Sequence, residues 1–304
     1  MGDVGGVVCV ADNRTLHLGL KPGELSSLIL TVGLEDRARF LAAALLKDVT
    51  EVISPRLFVS LTGYYKGVRV SIVAIGMGAA AMDFLVREAS YVLGGQSMAI
   101  IRVGTCGIFL PDTPPGTLML ANRSAYCYRN YTHFDGEFNG ETAKQETGNM
   151  GGHKSQPPYV ISAPVEADPH LTAVMREHIR KKGIPVKEGL NCSAETFYAC
   201  QGRMVNTWDD EISSSFVDTV RKMGVQSMEM ETHQLFHLLR HRQVKSYAAA
   251  VMYGIFNRIN PEMRGDGTES EEEVVRIAGE AAMEALISLA ERLSPAESAS
   301  AASC

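Results

Sequence analysis

The chain has 304 residues, 45% of them hydrophobic and 21% charged, a balance that supports a substantial core and reads most simply as one large domain. Its formal net charge of −6 excludes a broad basic surface for nucleic acid, although a few local arginines can still hold a small anion. The six cysteines contain no C-x-x-C pair, no apolar run is of membrane-spanning length, and no basic stretch joins an apolar one near the start, so the reducing cytoplasm is the expected location.

The first dozen residues are rich in glycine and lack an apolar period, which predicts a flexible tail over about 1–14. From about Ser27 short apolar runs alternate with amphipathic stretches, the pattern of an α/β fold. Leu28-Ile29-Leu30-Thr31-Val32 is the first predicted strand, closed by Gly33, and a helix follows over 35–47. Two β-rich segments, 57–65 and 68–75, read as a hairpin turning at Lys66-Gly67, which makes the sheet mixed. Next come a helix over 79–93, the buried strand Met98-Ala99-Ile100-Ile101-Arg102-Val103 and a strand over 117–128. Residues 134–158 hold several glycines and two prolines with little apolar periodicity, and they read as a polar insertion or long loop. A helix over 169–182, a strand over 186–192, a helix over 209–223, a strand over 225–228 and a helix to Arg240 lead to the apolar strand 246–256. The last helix opens on a capping box, Ser270-Glu271-Glu272-Glu273, and an Ala- and Ser-rich stretch over 295–304 predicts a second flexible tail.

Five features bear on chemistry. Gly76-Met77-Gly78-Ala79-Ala80-Ala81 has the spacing of a dinucleotide fingerprint, but the next strand closes in Arg102-Val103-Gly104-Thr105 with no acid to hold a ribose. Tight strand-to-helix packing, or a different ligand, is the alternative. The ending Arg102-Val103-Gly104-Thr105-Cys106-Gly107 places a guanidinium, a hydroxyl and flexible backbone amides after a buried strand, groups that suit a phosphate or, equally, serve to satisfy loop carbonyls. Gly33 and Arg37 make a similar grouping after the first strand, where a helix N-terminus adds partial positive charge. Met228-Glu229-Met230-Glu231 sets two carboxylates two residues apart, placed either to cap the following helix or to accept hydrogen bonds from paired sugar hydroxyls. His233, His237 and His241 share a helix face, yet no H-E-x-x-H pattern accompanies them and the leucines between them read as core.

In order along the chain, His17-Leu18-Gly19-Leu20, Gly33 to Arg37, Arg102-Val103-Gly104-Thr105, Thr196-Phe197-Tyr198-x-x-Gln201-x-Arg203, Glu229-Met230-Glu231 and Asn257-Arg258 resemble the nucleoside phosphorylase superfamily, and more closely its uridine phosphorylase branch. The resemblance implies a single three-layer α/β/α domain around a central mixed, twisted sheet. It also implies reversible phosphorolysis of uridine, and of 2′-deoxyuridine, to uracil and the sugar 1-phosphate, with inorganic phosphate as co-substrate and no organic cofactor. Phosphate would be bound by Gly33, Arg37, Arg102 and Thr105, with Arg56 reaching in from a neighbouring subunit. His17 would cross from that neighbour to the 5′-hydroxyl. Met230 and Glu231 would hold the ribose, supported by Glu229, while Phe197, Gln201 and Arg203 would hold the base. The catalytic burden would fall on Arg37, Arg102, Arg203 and Glu231. A purine nucleoside phosphorylase, a hydrolytic nucleosidase and a non-catalytic nucleoside-binding protein are the alternatives on the same fold.

Three departures bear on this expectation. Where bacterial relatives bind potassium at the dimer interface through a glutamate beside the arginine matching Arg56 and a serine matching Ala81, this chain has Leu57 and Ala81. That puts the potassium site in question and leaves another interface cation open. The 134–158 insertion has no bacterial counterpart and stands in the way of the usual hexamer, so a homodimer with shared active sites is expected and higher assembly is left open. The phosphate loop reads Val32-Gly33-Leu34-Glu35, where relatives carry prolines and an Asp.

Overall fold

Alternation of apolar side chains along the strands decides how the layers stack. The computed structural model describes residues 2–4, 6–135, 157–203, 215–265 and 270–293. Within them β1 (Gly2–Val4) and β2 (Val7–Cys9) form a small hairpin, followed by β3 (Leu28–Val32), α1 (Glu35–Leu45), β4 (Lys47–Ile53), β5 (Val59–Tyr65), β6 (Val68–Ala74) and α2 (Ala79–Val92). Then come β7 (Ala99–Ile108), β8 (Leu118–Arg129), α3 (Tyr131–Asp135), β9 (Tyr159–Ile161), β10 (Val165–Glu166), α4 (Pro169–Lys181) and β11 (Val186–Ala194). The chain ends in α5 (Ser215–Lys222), β12 (Val225–Glu229), α6 (Thr232–Arg240), β13 (Tyr247–Asn257) and α7 (Glu271–Leu293).

All strands from β3 onward join one mixed sheet. β4, β5 and β6 run antiparallel to one another, β6, β3 and β7 are parallel, and β13 lies parallel to β7. β13 pairs antiparallel with β8, β8 pairs with β11, β11 with β12, and β12 returns to the far end of β7. Those five strands therefore close a circuit at one side of an otherwise open sheet.

Period-2 alternation sorts the core. Leu30, Val32, Ile101, Val103 and Val251 pack against α1, α4 and α7, whereas Ile29, Ile100, Ala250 and Met252 pack against α2 and α6. Each fully buried Leu or Ile stabilises by roughly 1.5–3 kcal/mol relative to exposure. Arg102 falls in the same alternation as Ile100, which carries its side chain to the α2 and α6 face. The layering is the expected α/β/α sandwich. No helix of the described residues is long and apolar enough to cross a membrane.

Two sequence expectations need correction. The first helix ends at Leu45 and β4 follows, a strand hidden by its polar sequence Lys47-Asp48-Val49-Thr50-Glu51-Val52-Ile53 because it pairs only with β5 and is largely exposed. The predicted N-terminal tail instead forms the β1–β2 hairpin, where Gly6 at φ +83 supplies the turn and Cys9 is buried. Residues 136–156 of the insertion, 209–214 of a predicted helix and the 295–304 tail lie outside the described residues. The predicted hairpin turn holds: Lys66 and Gly67 both have positive φ, as a type I′ turn requires.

Candidate active site

The end of β3, the middle of β7, which runs to Ile108 past its expected end at Val103, and the loop after β6 converge. The Gly76 amide donates to the Gly33 carbonyl at 2.9 Å, and a Cβ on Gly33 would stand 3.1 Å from the Gly76 carbonyl oxygen, so glycine permits this approach. Gly78, at φ +97, precedes α2 and donates its amide to the Glu231 carboxylate. The G-x-G spacing therefore serves close packing between loops, and Gly76 and Met77 line a cavity.

Arg102 is 4% exposed and holds two carboxylates. Its Nε donates to Glu229 Oε2 at 3.1 Å and its Nη2 to Glu231 Oε2, while Nη1 is buried without a partner. Gly104 makes room for this side chain, since a Cβ there would meet the guanidinium at 3.1 Å. Glu229 accepts from five donors: Arg102, Asn191 Nδ2 at 2.8 Å, Ser193 Oγ at 2.5 Å, the Glu231 amide at 2.9 Å and the Thr232 amide, which reaches both oxygens at 3.0 and 3.3 Å. Burial opposes its charge, but the Arg102 guanidinium and the donors outweigh burial and hold the Glu229 carboxyl below the usual range. Glu231 goes the other way, raised by burial and by the neighbouring Glu229 charge against the pull of Arg102. Each Glu231 oxygen has one engaged lone pair and a second to offer a hydroxyl. The capping reading of this pair holds, because the Glu229 carboxylate accepts the Thr232 amide in the first turn of α6.

Arg37 lies half-buried on α1, with no carboxylate hydrogen-bonded to it among the described residues. Burial and the nearby Arg102 charge lower its pKa. The opposite group comes from a short turn after β11. Phe197 is 43% exposed, Gln201 is buried in a single 3-10 turn (Ala199–Gln201), and the Arg203 guanidinium stacks over the Phe197 ring at 4.4 Å. Arg203 Nε is buried without a partner and burial lowers its pKa.

Sequence reasoning gave Arg258 no role, and the structure supplies one. Asn257 ends β13 by donating to the Leu110 and Thr113 carbonyls, both at 2.8 Å, and by accepting the amides of Ile259 and Asn260. Arg258 then donates from Nη2 to the Gln201 carbonyl at 2.8 Å. Burial and the charge of Arg203 lower its pKa to about 10, and its Nη1 has no partner. No signal in a run as short as Asn257-Arg258 reveals a side chain bonded to a main-chain carbonyl 57 residues away.

One cavity of about 300 Å³ gathers most of the predicted set: Gly33, Arg37, Arg102 and Thr105 from one direction, Glu229, Met230 and Glu231 from the junction of β12 and α6, and Phe197, Gln201 and Arg203 from the turn and its flanks. Its chemistry is cationic and hydrogen-bonding, with three arginines facing two carboxylates. His17 and Arg56 are not among its lining residues. The His17 ring stacks on Phe84 at 3.7 Å and its Nδ1 meets the buried Glu88 carboxylate at 2.6 Å, which also accepts the amides of His17 and Leu18. Arg56 is exposed in the turn before β5, next to a Leu57 that is 77% exposed with φ +64. Ala81 sits in the first turn of α2. The three-histidine face carries a core contact, with the buried His233 bonded to Ser162 at 3.3 Å, and among the described residues no group of three or more His, Cys, Asp or Glu side chains could hold a metal.

The chain resembles known proteins over most of its length. Its fold matches a solved structure from a study of two uridine phosphorylases of the oomycete Phytophthora capsici, with a TM-score of 0.81 and 29% identity over 92% of this chain and 96% of that one. A Trypanosoma brucei nucleoside phosphorylase shares the fold at a TM-score of 0.73 and 19% identity, over 93% and 99% of the two chains. By sequence, a uridine phosphorylase of Thermococcus kodakarensis is 26% identical over 87% of this chain and 84% of its own length. A DeoD-type purine nucleoside phosphorylase of Geobacillus kaustophilus is 29% identical over 74% and 79%. The sequence pattern described as "Phosphorylase superfamily" matches residues 27–291, which takes in the sheet, both carboxylates and every arginine of the cavity. The chain belongs to the phosphorylase superfamily.

Proposed function

We propose that the chain catalyses the reversible phosphorolysis of uridine, and of 2′-deoxyuridine, to uracil and ribose 1-phosphate or its deoxy analogue. The observation that carries this reading is the joining, in one cavity, of Arg37, which has no hydrogen-bonded carboxylate among the described residues, and Arg102 with the pair Gln201 and Arg203 on the base side. A side-chain amide pairs with the N3–H and O2 edge of uracil, and a guanidinium donates to O4. The resemblance to uridine phosphorylases supports the same choice.

Phosphate is held by Arg37, by Arg102 through its unpartnered Nη1, by Thr105 and by the backbone at Gly33. Glu231 accepts from the ribose hydroxyls, with Met230 against the sugar. As the C1′–N1 bond lengthens, its electron pair leaves with uracil and positive charge grows on the sugar ring. The phosphate charge stabilises that cation, Arg203 stabilises the departing anion, and a phosphate oxygen closes the new bond to C1′. Catalysis is by positioning and electrostatics, with no covalent enzyme intermediate and no organic cofactor.

The active unit is a homodimer in which His17 and Arg56 complete the neighbour's cavity. Their absence from the chain's own cavity supports this, as does the exposed Leu57 beside Arg56. A purine phosphorylase is the second reading, favoured by the DeoD-type relative.

Steady-state assays with uridine, 2′-deoxyuridine, thymidine and inosine, each with and without phosphate, test the proposal. Uridine and deoxyuridine are cleaved only when phosphate is present. Phosphate-independent release of uracil would replace phosphorolysis with hydrolysis, and inosine cleaved faster than uridine would establish the purine reading. Mixing Arg56→Ala chains with Arg102→Met chains restores activity if sites are shared; no restoration sinks the dimer claim.

A further inference from the structure

Asn191 lies beneath the cavity and outside its lining. It is fully buried on β11, where the ladder to β12 shifts register between Leu190 and Asn191 and the ladder to β8 shifts between Gly189 and Leu190. A bulge of this kind re-aims a side chain. Leu190 and Cys192 stay in the apolar core, while Asn191 and Ser193 turn the other way and both donate to Glu229 Oε1. The amide of Asn191 also donates to Ser124 Oγ at 2.9 Å and its carbonyl accepts from Ser227 Oγ at 3.0 Å, so one side chain ties β8, β11 and β12 together.

We propose that Asn191 is a positioning residue that sets the phosphate affinity of the cavity: with Ser193 it fixes the Glu229 carboxylate so that only Oε2 faces Arg102. This rests on the phosphorolysis reading. Asn191, Ser193 and, at 3.3 Å, the Thr232 amide donate to Oε1, while Arg102 and the amides of Glu231 and Thr232 donate to Oε2, which leaves the carboxylate no freedom to turn. Glu229 then takes the Arg102 Nε, Glu231 takes Nη2, and Nη1 stays unpartnered for an anion. A carboxylate released on its Oε1 side could rotate, take a second guanidinium nitrogen and compete with phosphate for it. An apolar residue would fill the Asn191 site at lower desolvation cost, so the buried amide is explained by what it orients.

Steady-state kinetics of Asn191→Leu test the role, with folding checked by circular dichroism. The KM for phosphate rises about tenfold, the loss of one hydrogen bond to a charged group, while kcat and the KM for uridine stay within about threefold. Asn191→Thr keeps one donor for Oε1 and returns the phosphate KM to within about threefold of the unaltered protein. A normal phosphate KM in Asn191→Leu, an equal rise in both KM values, or a Thr variant no better than Leu overturns the proposal. If Asn191→Leu does not fold, Ser193→Ala removes the other Oε1 donor and carries the same expectation and the same overturning results. An unaltered protein that cleaves no uridine in phosphate would sink the phosphorolysis reading instead, a separate outcome.

Discussion

Arg102 lies on a ten-residue strand with neighbours on both edges and two buried carboxylates on its guanidinium, whereas Arg203 follows a three-residue turn and stacks on a Phe197 that is 43% exposed. One end of the cavity is built from the sheet and its hydrogen-bonded cluster, the other from a loop. Glu229 alone has five donors, while Gln201 owes its place to the turn's own backbone and to one arginine reaching its carbonyl. On the proposed reaction, the sheet end holds phosphate and the sugar that any nucleoside presents, the loop end faces the base, and choice of base can change there without disturbing the sheet.

Arg102→Met breaks the sheet end most severely. It leaves two carboxylates buried without their cation, and kcat/KM for phosphorolysis falls about a thousandfold, with lowered thermal stability. A tenfold effect would show that the cluster is not where the anion binds. Arg203→Met removes a charge-assisted hydrogen bond to the base, costing about 1.5–3 kcal/mol, so kcat/KM for uridine drops more than tenfold at an unchanged phosphate KM. A rise in phosphate KM would erase the distinction between the two ends.

Acid separates them differently. Burial and the His237 charge push the His233 imidazole down to about 4, against about 6.5 in an unfolded chain. Between those values the unfolded chain takes up a proton that the folded chain refuses, so stability present above pH 6.5 is lost as pH falls toward 4. His233→Gln, which does not titrate, spares about 2 kcal/mol of that loss, read from thermal unfolding at pH 7 and 4.5. Identical acid losses in both proteins would rule it out. The smallest effect belongs to Arg258→Met, which removes one bond to the Gln201 carbonyl and lowers kcat/KM for uridine about three- to tenfold. An unchanged value would mean that the turn holds Gln201 unaided.

Legibility in the sequence follows the same division. Strands such as β7 announce themselves because alternating apolar residues meet helices on both faces; Gly33 stands where β3 is expected to close, whereas Arg102 and Thr105 lie within β7, which continues to Ile108. β4 stayed hidden because an exposed edge strand needs no apolar alternation. The supports were less legible still. Asn191, Glu88 and Arg258 act through main-chain groups or through a carboxylate distant in sequence, and neither composition nor spacing records such partners. The sequence points to Glu231 for its acceptor oxygens, and only the folded chain reveals that one of them holds Arg102.

The circuit β7–β13–β8–β11–β12 has a consequence for how the molecule opens. A strand inside a ring cannot peel from an edge, so its amides exchange with solvent only when the ring ruptures as a whole. β4 pairs only with β5 among the described residues and frays alone. Cutting the chain at the Lys66–Gly67 turn leaves the ring intact, which makes that turn the natural place for new termini in a circularly permuted enzyme.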